Sequence, residues 1–253
     1  MCTVSWLVEN NDYHVFFNRD EQRSRSLALP PQQFTINRTE SLMPIDPDGN
    51  GTWISTNEFG LTLCLLNYYQ GITPQGAFVS RGLLVKALSA KKTIQEAHQA
   101  LQQSRLRDYA SFSLLAFGYD IHGLFVQKTW QWSGKQLTQL QLCSPFTSSS
   151  VKFEQVSSSR FALANQMPMK SVADVKLYHQ SHQPDKSHLS ACMHRTDAKS
   201  VSMSHIHVSP QQSYFHYKNA SPCSRQPFVT TELTRSLQTS HLTYRSLSNL
   251  NSV

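Results

Sequence analysis

The residue whose type and position best suit covalent chemistry is Cys2, in the opening stretch MCTVSWLVENNDYHVFFNRDEQR. A small second residue lets methionine aminopeptidase remove Met1. Cys2 would then carry both a thiol and a free α-amine. An α-amine has a reference pKa of about 7.7–8.0, so part of it is neutral near pH 7. A neutral amine beside the thiol can take its proton, directly or through water, so nucleophile and base share one residue. The plainer alternative is a cysteine buried at a strand end.

The apolar run Tyr13–Phe17 leads into Asn18-Arg19-Asp20-Glu21. If Tyr13–Phe17 pairs antiparallel with Thr3–Val8 across Asn10-Asn11-Asp12, these polar residues come to lie near the chain start. A carboxylate there could orient the α-ammonium, and a guanidinium could favour the Cys2 thiolate. Either Asp20 or Glu21 could hold the amine. Adjacent side chains on an extended strand face opposite ways, so Arg19 and Asp20 cannot both reach Cys2 unless the strand ends or bulges. A solvated strand end is the alternative reading of the same charges.

These residues need a scaffold, and its elements are legible in part. Thr52–Thr56 and Leu61–Asn67 read as a second hairpin turning at Asn57–Gly60. Pro30-Pro31 marks a loop, and Pro44–Gly51 is dense in turn residues. Arg81–Leu88 has helical apolar spacing. Thr93-Ile94-Gln95-Glu96 matches a capping box opening a helix to about Leu106. Phe112–Asp120 and Gly123–Trp132 form another hairpin, Ser144–Ser150 a loop, and Val172 to about Ser181 a helix. Val201–Val208 and Ser213–Lys218 pair across Pro210-Gln211. Hairpin-joined strands favour antiparallel sheets over parallel crossover units. The order predicts one α+β domain over residues 1–253, with about 230–253 as a polar tail.

The bulk properties narrow the function. Net charge is +7 with pI about 9.2, but the charge is scattered and Lys91-Lys92 is the only adjacent pair of lysines. No basic run interleaves with aromatics, so nucleic acid is not an expected partner. No apolar run reaches 18 residues, so no integral membrane association is expected. The five cysteines, Cys2, Cys64, Cys143, Cys192 and Cys223, contain no CxxC pair, and reduced thiols in the cytoplasm are the simplest reading. Asp46–Gly51 matches the first half of a calcium loop, but the twelfth position is Asn57 rather than a bidentate Glu, which favours a tight turn. His205 and His207 share a strand face, with His179, His182, His188 and His194 upstream. Without a carboxylate or thiol at ligand spacing they read as surface histidines. Neither metal nor cofactor is expected.

Several blocks carry a family resemblance. MCT at the start, FFNRDE, PIDPDGNGTWIS, NEFGL, LLNYY and MHRTDAKSVSMSHIHV resemble the NRDE family, also called the transport and Golgi organisation 2 family. NEFGLTLCLLNYY (Asn57–Tyr69) is more distantly similar to a block in choloylglycine hydrolases and penicillin V acylases. That resemblance implies a four-layer αββα sandwich of antiparallel sheets. It also implies a cysteine N-terminal nucleophile amidohydrolase acting on a linear amide or related acyl bond. Carried over by position, Cys2 would be the nucleophile and Asn67 an oxyanion donor. Asn165, in ALANQMP at the end of an apolar strand candidate, would be a second polar group, and Arg195, in MHRTD, a cation near the thiol; Arg19 and Asp20 complete the expected set. The acylase cluster reads Arg-Asn-x-Asp, whereas Arg19 and Asp20 are adjacent here. The NRDE resemblance also implies lipid and haem handling. The alternative function is therefore a non-catalytic protein that binds or moves a small hydrophobic ligand. Phe16, Phe17, Tyr68 and Tyr69 could line its pocket, or could equally pack the core.

Overall fold

In the computed structural model, residues 1–74 and 78–236 are described. The chain opens with β1 (Cys2–Glu9) and β2 (Asp12–Gln22), joined by Asn10 and Asn11, both with positive φ (51° and 68°). Asn tolerates the left-handed region, and two such residues make the turn whose twist suits a hairpin. The turn sets the register Cys2↔Arg19 and Thr3↔Asn18. A slip of one residue would send every side chain to the other face. β2 does not stop at Phe17 but runs on through the charged residues.

Then follow β3 (Leu29–Ile36), β4 (Thr39–Ile45), β5 (Ile54–Asn57) and β6 (Thr62–Asn67). Next come helices α1 (Arg81–Leu88) and α2 (Ile94–Gln103), and strands β7 (Phe112–Tyr119), β8 (Phe125–Trp132), β9 (Leu137–Leu140) and β10 (Phe146–Ser148). Helices α3 (Phe153–Gln166) and α4 (Val172–Gln180) precede β11 (Ala198–Val208), β12 (Gln212–Lys218) and β13 (Val229–Thr234). One sheet runs β10-β1-β2-β11-β12-β13 and the other β3-β4-β5-β6-β7-β8-β9, with antiparallel pairing throughout.

The layers follow from residue parity. On β2, Tyr13, Val15 and Phe17 face the second sheet and pack with Leu42, Ile54, Cys64 and Leu115. Phe16 faces outward onto Val175 of α4. The far face of the second sheet buries Leu63, Leu65 and Leu114 against Leu84, Val85 and Leu101 of α1 and α2. The result is an αββα sandwich. Each fully buried aliphatic or aromatic side chain contributes about 1.5–3 kcal/mol, so the three interfaces supply the main driving force. Tyr13 ties the sheets together, its Oη donating to Gly60 O at 2.6 Å.

Asn57 shows why the NEFGL block is a structural device. Its Oδ1 accepts from the backbone of Phe59 and Leu61, and its Nδ2 donates to Ser89 O and Lys91 O. The following Gly60 takes φ +72° to complete the turn. Asn57 is thereby committed to the β5–β6 hairpin and the end of α1, away from any calcium site.

Several elements depart from the sequence expectation. Pro30 and Pro31 lie inside β3, which tolerates them because it is an edge strand with a register shift between Leu29 and Gln32. The expected loop Ser144–Ser150 contains edge strand β10, which pairs with β1. β13 occupies Val229–Thr234, where a polar tail is expected; residues 237–253 of that tail lie outside the described residues. No helix among the described residues is long and apolar enough to cross a membrane.

Candidate active site

A cavity of about 410 Å³ opens between the sheets at the start of β1. Its wall includes Met1, Cys2, Arg19, Asp20, Glu21, Asp46, Trp53, Asn67, Tyr69 and Arg81. The inward parity of β1 (Cys2, Val4) and of β2 (Phe17, Arg19) places Cys2 and Arg19 on the cavity side. Asn67, the last residue of β6, enters from the opposite sheet. Its Nδ2 donates to Tyr69 Oη at 3.0 Å. Four of the residues expected from sequence, Cys2, Arg19, Asp20 and Asn67, thus share one cavity.

Arg19 and Asp20 divide their roles by face. Arg19 stacks over Trp53, with its guanidinium carbon 4.3 Å from the ring centroid, and pairs with Glu21 at 3.3 Å and Asp46 at 3.8 Å. Asp20 turns its carboxylate to the outer face, where Ser200 Oγ donates to Oδ1 at 2.5 Å and Arg160 Nη2 lies 3.5 Å from Oδ2. The irregularity that accommodates this is on the partner strand, where the register shifts between Ser200 and Ser202. The Asp20 backbone remains beside the chain start, its N–H donating to Met1 O at 3.1 Å. Asn18 is committed elsewhere: its Nδ2 donates to His179 O and Ala191 O, pinning the segment after α4.

The electrostatics favour a neutral thiol while Met1 is present. Burial pushes the Cys2 thiol above its ordinary value, outweighing the N-terminal ammonium that pulls it down; the Asp20 carboxylate adds to the rise. The sequence expectation that a guanidinium would favour the thiolate is not met by Arg19, whose charge is spent on Glu21, Asp46 and Trp53. Burial likewise raises the Asp20 carboxyl, although Arg160 and the N-terminal ammonium oppose the shift. Arg81, the first residue of α1, donates to Ser111 O at 2.9 Å and makes no ion pair among the described residues. Burial lowers its pKa, opposed by Tyr69 and Cys2. The α1 N-terminus is held here by a glycine contact, since a Cβ on Gly51 would lie 2.3 Å from the Gly82 carbonyl carbon.

Two expected residues lie elsewhere. Asn165 sits on the exposed side of α3, next to buried Ala164, rather than at the end of a strand, and it does not line the cavity. Arg195 pairs with Asp197 through a 2.9 Å Nε–Oδ1 bond and lines a separate surface depression with Lys186 and His188. Of the four aromatics, Tyr69 lines the cavity, while Phe17 packs between the sheets and Phe16 under α4. His205 is buried rather than superficial, stacked on Phe16 and accepting from or donating to His14 at 3.1 Å.

Asp46, Arg81 and Arg160 lie outside the set expected from sequence. Asp46 belongs to a turn motif, yet its carboxylate holds Arg25 at 2.5 Å and faces Arg19. Arg160 is fully buried on α3, and its Nη1 donates to Thr3 Oγ1 at 2.5 Å and Thr147 Oγ1 at 2.9 Å. A signal for it was present, because it shares the buried stripe Val156, Arg160, Leu163 and Ala164.

A family model described as Transport and Golgi organisation 2 matches residues 1–239. The chain belongs to this family. A search of curated proteins finds no significant match. Among solved structures, it is similar to the Caenorhabditis elegans ortholog of N-acylethanolamine-hydrolyzing acid amidase, with a TM-score of 0.53 and 12% identity over 81% of this chain and 92% of that one. A variant of conjugated bile acid hydrolase from Clostridium perfringens gives a TM-score of 0.49 at 12% identity, covering 95% of this chain and 100% of that one. The αββα sandwich of this family member shares its overall fold with that amidase ortholog.

Proposed function

We propose that this family member is a cysteine hydrolase that cleaves a linear amide or related acyl bond after loss of Met1. The observation that carries the reading is the meeting of Cys2 with Asn67 in one cavity, with the Asp20 backbone N–H bonded to the very carbonyl that Met1 removal would take away. With Met1 gone, the new α-amine stands beside Asp20 and can take the thiol proton. The thiolate attacks the acyl carbon, and Asn67 Nδ2 donates to the oxyanion, a contribution of about 3–4 kcal/mol in comparable sites. The amine returns the proton to the leaving nitrogen, leaving a thioester that water hydrolyses. The similarity in fold to an amide-hydrolysing enzyme supports this reading.

Arg81 favours a substrate that carries an anionic group near the scissile bond. It is a largely desolvated guanidinium without a carboxylate partner among the described residues. The carrier reading would need a predominantly apolar cavity, whereas this one sets Arg19, Arg25, Arg81, Glu21 and Asp46 beside Trp53, Leu65, Tyr69 and Phe78.

The test compares untagged protein, a form extended by a non-cleaved residue before Cys2, and Cys2→Ala. The readout is turnover of N-acyl amides, acidic ones included, with intact mass reporting Met1. Turnover confined to the untagged, Met1-free form is expected. Equal turnover in all three forms would remove Cys2 from the chemistry.

A further inference from the structure

On the outer side of the β1–β2 sheet, away from the cavity, four side chains converge from three separate segments. They are His182, just past α4; Cys192 and His194, in the irregular stretch between α4 and β11; and Cys223, in the loop after β12. One donor atom from each lies within 4.8 Å of every other. Cys192 Sγ and Cys223 Sγ are each 3.5 Å from His194 Nε2. A tetrahedral zinc ion with Zn–S of about 2.3 Å and Zn–N of about 2.0–2.1 Å has S···N edges of about 3.6 Å. Both sulfur separations from His194 therefore already match an edge of a metal tetrahedron. His182 Nε2 is buried without a hydrogen-bond partner, as a nitrogen reserved for a metal would be.

The backbone around the four residues is built to hold them. Cys192 and His194 flank buried Met193, so they project together while Met193 packs with Met1 and Ala198. Cys192 N–H donates to Ser181 O at 3.0 Å, tying its strand-like turn to the end of α4. Lys218 Nζ donates to Pro222 O at 3.1 Å and Ser224 O at 3.0 Å, clamping the carbonyls on either side of Cys223. Zn²⁺ with two thiolates and two neutral imidazoles is electrically neutral as a unit.

We propose that His182, Cys192, His194 and Cys223 form a structural zinc site. Two thiolates and two imidazoles in tetrahedral array select zinc over harder ions, and four protein ligands leave no open position for catalysis. The site staples a segment with little regular structure, whose carbonyls hold the catalytic hairpin from behind. Ala191 O accepts from Asn18, and His188 O and Leu189 O accept from Arg160. Metal loss would loosen the supports of Asn18 and, through Arg160, of Asp20. The four ligands were invisible as a set because the intervals 182–192, 194–223 follow no short spacing.

The experiment uses the full chain, expressed without a histidine tag and purified without chelator, with metal measured by plasma mass spectrometry. About one zinc per chain is expected, as for a four-ligand structural site. Cys192→Ser with Cys223→Ser should lose it, while Cys2→Ala should retain it. Because the double variant could misfold, wild-type protein is also reconstituted with Co²⁺, and the thiolate-to-cobalt absorption and visible bands of tetrahedral cobalt are recorded. A chain that is folded by circular dichroism, free of metal, and without tetrahedral cobalt bands would overturn the proposal. So would a Cys192–Cys223 disulfide in protein isolated with thiols blocked at lysis.

Discussion

Removing Arg160 should test how the outer face of β2 supports the inner. The Arg160 and Asp20 side chains are 1% and 0% exposed and lie 3.5 Å apart. Arg160→Met keeps the apolar stem within the α3 stripe but leaves the Asp20 carboxylate buried beside Ser200 alone. Losing one partner of a buried pair costs about 3–5 kcal/mol. Thr3 and Thr147 lose a donor but retain their mutual hydroxyl contact at 3.3 Å, so the carboxylate dominates the penalty. At about 2–4 °C per kcal/mol for a domain of this size, Tm should fall by about 6–20 °C near neutral pH. The sign with pH is fixed by Asp20, whose folded pKa is already raised and rises further in the variant. Stability from a raised carboxyl is present below the unfolded value near 3.8 and lost as pH climbs through the folded value. The deficit of Arg160→Met should therefore shrink on acidification. Adding Asp20→Asn should recover part of the loss, with a coupling above about 0.5 kcal/mol in the double-mutant cycle. Differential scanning fluorimetry and urea unfolding across pH read this out. A loss below about 1 kcal/mol, or strict additivity, would refute the argument.

Other outcomes follow from the same geometry. Asn67→Ala should lower turnover about 10²–10³-fold with little change in Tm, since it removes the proposed oxyanion donor from a half-exposed strand end; an unchanged rate would take Asn67 out of the reaction. Arg81→Gln should reduce alkylation of Cys2 by anionic iodoacetate more than by neutral iodoacetamide, read by peptide mass spectrometry, and an unchanged ratio would show that Arg81 does not set the potential at the thiol. Acid should destabilise the fold below about pH 6.5, because His14 and His216 are lowered to about 4 and His179 to about 3, all chiefly by burial. Unfolded chains bind these protons first, so stability is full above the unfolded value and declines as pH falls toward the folded ones. A Tm flat from pH 7 to about 4 would contradict this.

What the sequence disclosed was periodic or local. Strand parity showed that Arg19 and Asp20 cannot share the Cys2 face of an unbroken strand but left open which of them reaches it; the structure gives that face to Arg19 and turns the Asp20 carboxylate to Arg160 and Ser200. Turn chemistry at Asn10-Asn11 and Asn57–Gly60 fixed the hairpins that bring Cys2 and Asn67 together. The unread parts depend on long-range burial. Arg160 meets Asp20 from 140 positions further along the chain, and only its place in an apolar helical stripe betrayed it. β3 and β10 escaped because edge strands tolerate proline and need few residues. Asn165 was misplaced because ALAN at the end of a helix has the same short apolar run as a strand; the buried stripe over fourteen residues decides for α3.

The proposed hydrolysis rests on Cys2 as a nucleophile with a free amine. The most direct measurement is acid-quenched mass spectrometry of untagged protein mixed with an acidic N-acyl amide, followed by digestion and mapping. The expected result is a mature chain starting at Cys2 and an acyl group in thioester linkage on that residue, cleaved by hydroxylamine and absent when a residue precedes Cys2. Substrate turnover with Met1 fully retained, or with acyl transfer to no residue or to another cysteine, would contradict it.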